Sequence, residues 1–182
     1  MDVHCTQEKM SVNNIVKAAI FCALAIALGF ALLPVPNLEL ITVTVFLSGL
    51  YLNAAWGAII GSTSIFIYSG LNPMGSGLAF PPVFVSQIFC MGLIGFLGGL
   101  MKSLFHLKDK FFFPILCAVI GFSLTFIYDI ITILSYPISL GLDGPGLIGV
   151  LIKGLSFMLI HEIFNAIIFS ISIPKAIKLI SR

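Results

Sequence analysis

Charged side chains are scarce in this 182-residue chain, where Asp, Glu, Lys and Arg together make up 9% of the residues. A water-facing globular surface takes roughly 25%, so a soluble domain with a solvated exterior is excluded. Charge of one sign is not concentrated either: nine Lys and Arg against seven Asp and Glu leave a formal net charge of +2. Dispersed in this way, they offer no basic surface for nucleic acid. The four cysteines, Cys5, Cys22, Cys90 and Cys117, have no CxxC spacing. The last three lie in apolar runs where Cys acts as a small hydrophobe, which argues against a disulfide framework or a metal site. GxSxG, Walker and GxGxxG patterns are absent, as are carboxylates at catalytic spacing, so the sequence speaks against an enzyme.

What the chain has instead is long apolar runs, with 59% of its residues hydrophobic. A transmembrane helix consumes roughly 20 such residues. Six helices are predicted between polar, Pro and Gly punctuation, over residues 14–33, 39–52, 54–69, 83–101, 112–136 and 147–173. The second and third are short for a full span. The expected fold is an all-α integral membrane protein of one domain, with short tails at 1–13 and 174–182. The run after Lys9 and Lys17 is too long for a signal peptide and lacks a clean cleavage site.

The placement of basic residues gives an orientation. With six spans and a cytoplasmic N-terminus, every Lys and Arg except Lys153 falls on the cytoplasmic side, and none falls in an outer loop. Five spans would separate Lys175, Lys178 and Arg182 from Lys9 and Lys17, against the positive-inside rule. Both termini are therefore expected inside.

An ionisable group at the membrane centre costs about 2.5 kcal/mol or more, so each needs a partner, a wet cavity or a ligand. The fifth helix carries Thr125, Asp129, Thr132 and Tyr136 on one inward-facing stripe. Lys153 of the sixth helix lies at similar depth, placed either to pair with Asp129 or to meet a ligand. Asn72, in the Gly- and Pro-rich stretch 70–82, offers a donor and an acceptor. Glu39 is a weaker candidate, since an acid in a first helical turn is also explained by the helix dipole. His161, Glu162 and Asn165 suggest the start of a zinc HExxH motif, but the second His position holds Asn165 and no other span contains a His, so zinc is not expected. These three are expected to be satisfied across helices. The first helix carries Ala19, Ala23, Ala27 and Ala31 as a continuous strip that permits close helix approach, either within the chain or to a partner. Gly57, Gly61, Gly95 and Gly99 are assigned to internal packing.

Six short helices in about 180 residues, a cytoplasmic N-terminus and the alanine ladder resemble the substrate-binding S components of energy-coupling factor (ECF) transporters, the prokaryotic vitamin importers. The resemblance extends over residues 14–173. It implies that Ala19, Ala23, Ala27 and Ala31 dock on a transmembrane coupling subunit, and that two partner ATPases hydrolyse the ATP while this chain binds no cofactor. It implies a micronutrient captured near the outer surface, under the loops at 34–38, 70–82 and 137–146, in the cell membrane. It names no particular vitamin. Cys and His are missing from all three loops, so direct ligation of a corrinoid cobalt there is unsupported. Two alternatives remain open: a self-sufficient permease, for example of queuosine-precursor type, and a structural subunit in which Asp129 and Lys153 form a buried staple.

Overall fold

A computed structural model of the chain describes residues 12–142 and 144–180. They form six α-helices: α1 (Val12–Leu32), α2 (Ile41–Tyr51), α3 (Ala54–Gly70), α4 (Pro81–Leu100), α5 (Phe113–Leu140) and α6 (Gly144–Ile180), with short 3-10 turns at Gly77–Ala79 and Met101–Leu107. Four of them, α1, α4, α5 and α6, are long and apolar enough to cross a membrane. The outward surface is correspondingly greasy, with Ile115, Val119, Phe122, Ile152, Leu159 and Ile163 among the exposed side chains.

α2 has 11 residues, hence a length of about 16 Å against a hydrocarbon thickness of about 30 Å. It is the centre of the bundle: nine of its residues are buried, and Val45 and Phe46 are wholly so. Such a short apolar helix satisfies its side chains only with protein on every side. α2 and α3 form an antiparallel hairpin across Leu52 and Asn53, and the Asn53 side chain caps α3 by accepting the Trp56 N–H at 2.9 Å. The expected break at Asn53 is therefore real.

Glycines weld α2, α3 and α4 together. A Cβ on Gly95 would overlap the Gly57 carbonyl oxygen, and one on Gly49 or Gly57 would overlap the Gly95 carbonyl oxygen. Backbones in such close contact gain dispersion and leave no room for a side chain, which is how membrane helices associate without a hydrophobic drive between them. The assignment of Gly57, Gly61, Gly95 and Gly99 to internal packing agrees with this crossing.

The expected helix ends need correction at two prolines. Residues 137–146 were expected to be a loop, yet α5 runs through Pro137 to Leu140, and α6 starts at Gly144. Pro137 forfeits only the bond to the carbonyl four residues before it, a loss that membrane helices tolerate. The stop comes at Gly141, whose φ of 61° is the left-handed geometry glycine adopts freely, with the Leu142 N–H closing on the Pro137 carbonyl at 3.0 Å. Pro174 likewise lies inside α6, which continues into the expected tail as far as Ile180. Pro81 and Pro82 do mark a boundary, because they occupy the first turn of α4, where missing N–H groups cost nothing.

One end of the bundle gathers residues 33–40, residues 71–80 and the α5–α6 turn. The opposite end gathers the α2–α3 turn and residues 101–112, together with most of the lysines. Lys17 lies over the Tyr51 ring at 5.2 Å, and Lys102 donates to the Leu52 carbonyl at 2.9 Å.

Candidate ligand-binding site

After α1 the chain does not pass straight into α2. Pro34 and Pro36 stop the helix, and Asn37 turns the backbone with φ 59°, a left-handed conformation that asparagine tolerates better than most residues. The turn brings Glu39 to the N-terminus of buried α2. There Glu39 Oε2 accepts the Thr42 N–H at 2.9 Å, so the expected helix-dipole role is part of its environment. Its other oxygen looks across the bundle to α6. Glu39 Oε1 accepts from the Asn165 Nδ2 at 3.0 Å and lies 3.6 Å from His161 Nε2.

His161 joins two carboxylates. Its Nδ1 is 3.1 and 3.0 Å from the two Asp129 oxygens, while Nε2 faces Glu39. An imidazole placed between two acceptors is a donor at both nitrogens in its protonated form. Asp129, His161 and Glu39 thus form a carboxylate–imidazole–carboxylate row linking α5, α6 and the segment before α2. Beside it, Thr125 Oγ1, Glu162 Oε1 and Asn165 Oδ1 are buried without a hydrogen-bond partner among the described residues. The expectation that His161 and Asn165 are satisfied across helices is met through His161 and the Asn165 amide nitrogen, and it is not met for these two oxygens of Asn165 and Glu162.

Two cavities adjoin the row and another neighbours them. One of about 420 Å³ is lined by Asn37, Asp129, Tyr136, Lys153, Phe157 and His161, among others. A second, of about 380 Å³, lies under residues 71–80 and is lined by Tyr68, Ser69, Asn72, Gln87, Tyr128 and Tyr136. The third, about 100 Å³, touches Glu39, Tyr68, Tyr128 and His161. Tyr136 belongs to the first two cavities, His161 to the first and third, and Tyr68 and Tyr128 to the second and third. Shared walls thus connect the three at the loop end of the bundle, with the row bordering the first and the third.

The residues singled out from the sequence divide into groups. Asp129, Tyr136 and Lys153 line the first cavity and Asn72 the second, while Glu39 lines the third. Thr125 is buried on the same stripe, and the Thr132 hydroxyl is spent on the Tyr128 and Asp129 carbonyls at 2.9 and 3.1 Å. Lys153 shares the cavity with Asp129 but makes no ion pair with it within 4.0 Å; the close partner of Asp129 is His161. This corrects the suggested Asp129–Lys153 staple. His161 and Asn165 join this group in the structure, and their spacing of four on one helical face is the signal in the sequence that points to them.

Asn72 Oδ1 accepts the Met74 N–H at 2.9 Å, and Ser76 Oγ donates to the Gly70 carbonyl at 2.7 Å, so the cover over the second cavity is folded on itself. Among the described residues no group of three or more His, Cys, Asp and Glu side chains could hold a metal ion. On α1, Ala19, Ala23, Ala27 and Ala31 are all exposed, and its buried face consists of Ala18, Ala25 and Gly29. The alanine strip is therefore not consumed by packing within the chain. No family model, curated protein or solved structure matches this chain.

Proposed function

We propose that this chain is the substrate-capture component of an ECF-type importer in a prokaryotic cell membrane. In this reading the chain crosses the membrane six times with both termini cytoplasmic, and the cavities open to the outside. It binds a vitamin or related micronutrient there and delivers it through a transmembrane coupling subunit, with ATP hydrolysed by two partner ATPases. It performs no covalent chemistry of its own. Glu39, Asn72, Asp129, Tyr136 and Lys153, joined by His161, are the ligand-facing set, with Thr125, Thr132 and Asn165 buried behind them.

The observation that carries this reading is the outward strip of Ala19, Ala23, Ala27 and Ala31. A lipid-facing helix has no need of small side chains at every fourth position, since lipid fits bulky ones equally well. A helix that must approach another closely does need them. The polar chamber at the loop end supports the same reading, because buried ionisable groups inside a membrane bundle belong to substrate paths by default. Purifying the tagged chain from its native membranes tests the proposal. A coupling subunit and two ATPases should accompany it, and a small molecule identifiable by mass spectrometry should be released on denaturation. A chain that transports its solute in vesicles without these partners would instead be a self-sufficient permease.

A further inference from the structure

The row at the centre of the site has an unbalanced inventory. Its donors are already committed: the His161 nitrogens face Asp129 and Glu39, the Asn165 amide goes to Glu39 Oε1, and the Thr42 N–H goes to Glu39 Oε2. Its acceptors are not exhausted, because a carboxylate offers about four lone-pair positions and Asn165 Oδ1 has no partner among the described residues. Charge is unbalanced in the same direction. With both carboxylates ionised the row carries a net negative charge whether or not His161 is protonated. Uncompensated charge at such depth is costly, and among the described residues the other cation lining these cavities, Lys153, is exposed and makes no ion pair to Asp129. Aromatic rings stand in the same walls: Tyr136 and Phe157 in the first cavity, and Tyr68 and Tyr128 toward the second.

We infer that the ligand is a flat organic cation that enters with its nitrogen donors first. Its protonated head sits against Asp129 beside His161, with Glu39 adding negative charge from behind the imidazole, its planar body lies along Tyr136 and Phe157, and an acceptor group at its trailing end meets Lys153. The inference rests on the cavities being the substrate site, and it is independent of whether a coupling subunit exists. A metal cation does not fit the same charge, since no three ligating side chains converge among the described residues.

The test is calorimetric titration of the full chain in detergent with three probes: benzamidine, benzoate and 4-amidinobenzoate. Benzamidine should bind and benzoate should not, while 4-amidinobenzoate should bind about threefold tighter than benzamidine, the scale of an exposed ion pair. Glu39→Gln should weaken both amidines by about tenfold or more. Lys153→Gln lies on an exposed wall and does not disturb the buried row; it should tighten benzamidine and bring the ratio of the two amidine affinities toward one. Preferential binding of benzoate, or loss of all probe binding in Lys153→Gln, would overturn the inference and make Lys153 the primary anchor of an anionic ligand. Failure to recover partner subunits would leave these affinities untouched, and so bears on the importer reading alone.

Discussion

At the scale of single residues, the site depends on which group answers Asp129. With His161 at 3.0 Å and Lys153 outside ion-pair range, a double-mutant cycle separates the two partners. Asp129→Asn with His161→Gln should show a coupling of about 1 kcal/mol or more, and Asp129→Asn with Lys153→Met a coupling within about 0.5 kcal/mol. Thermal unfolding in detergent measures both. Glu39→Ala should be more damaging than Lys153→Met, because it strands the Asn165 amide, one face of His161 and the Thr42 N–H. Each buried group left unpaired costs about 1–3 kcal/mol. The stripe from Thr125 to Tyr136 was legible in the sequence because helical periodicity alone assigns a face. The partnership of Glu39 with Asn165 was not, since 126 positions separate them and only the backbone turn at Asn37 brings them together. Glu39 precedes the first turn of α2 instead of lying in it, and one carboxylate oxygen serves α2 while the other serves α6.

The helices obey two different rules for small residues, and substitution should expose the difference. Gly95 is locked against Gly57 and Gly49, so Gly95→Leu should prevent the α2–α3–α4 crossing from forming; overpacking of one or a few methylenes already costs about 1–3 kcal/mol. Yield of monodisperse protein in detergent reports this directly. Ala23 is exposed, so Ala23→Trp should leave folding and ligand binding of the isolated chain unchanged while abolishing transport by the assembled importer. Loss of folding in this variant would return the strip to internal packing. Both patterns repeat every four residues, and periodicity alone does not tell a lipid-side strip from a buried one. Helix termini were read well where proline sits in a first turn, at Pro81 and Pro82. They were misread at Pro137 and Pro174, because surrounding helices let α5 and α6 continue past a lost backbone bond.

For the whole molecule, the segregation of lysines to the end opposite the cavities fixes the expected orientation. In a background with the native cysteines replaced, a cysteine at Ser76 should react with an impermeant reagent applied outside intact cells, and one at Ser103 should stay unlabelled. The reverse pattern would invert the topology and close the cavities to the outside. The all-helical bundle was legible from composition and apolar run length. The central burial of α2 was not, because eleven apolar residues read the same whether lipid or protein surrounds them.

The chain between Leu32 and Ile41 deserves to be seen as a tether. It is fastened at one end to α1, the helix that bears the exposed alanines, and at the other it delivers Glu39 to the carboxylate–imidazole row only eight positions after Ala31. Under the proposed function, a partner that shifts the end of α1 is expected to displace Glu39, and a ligand that holds Glu39 to restrain α1 in return. Reciprocity of binding free energies then demands a single number: the factor by which a docked partner changes ligand affinity must equal the factor by which ligand changes affinity for the partner.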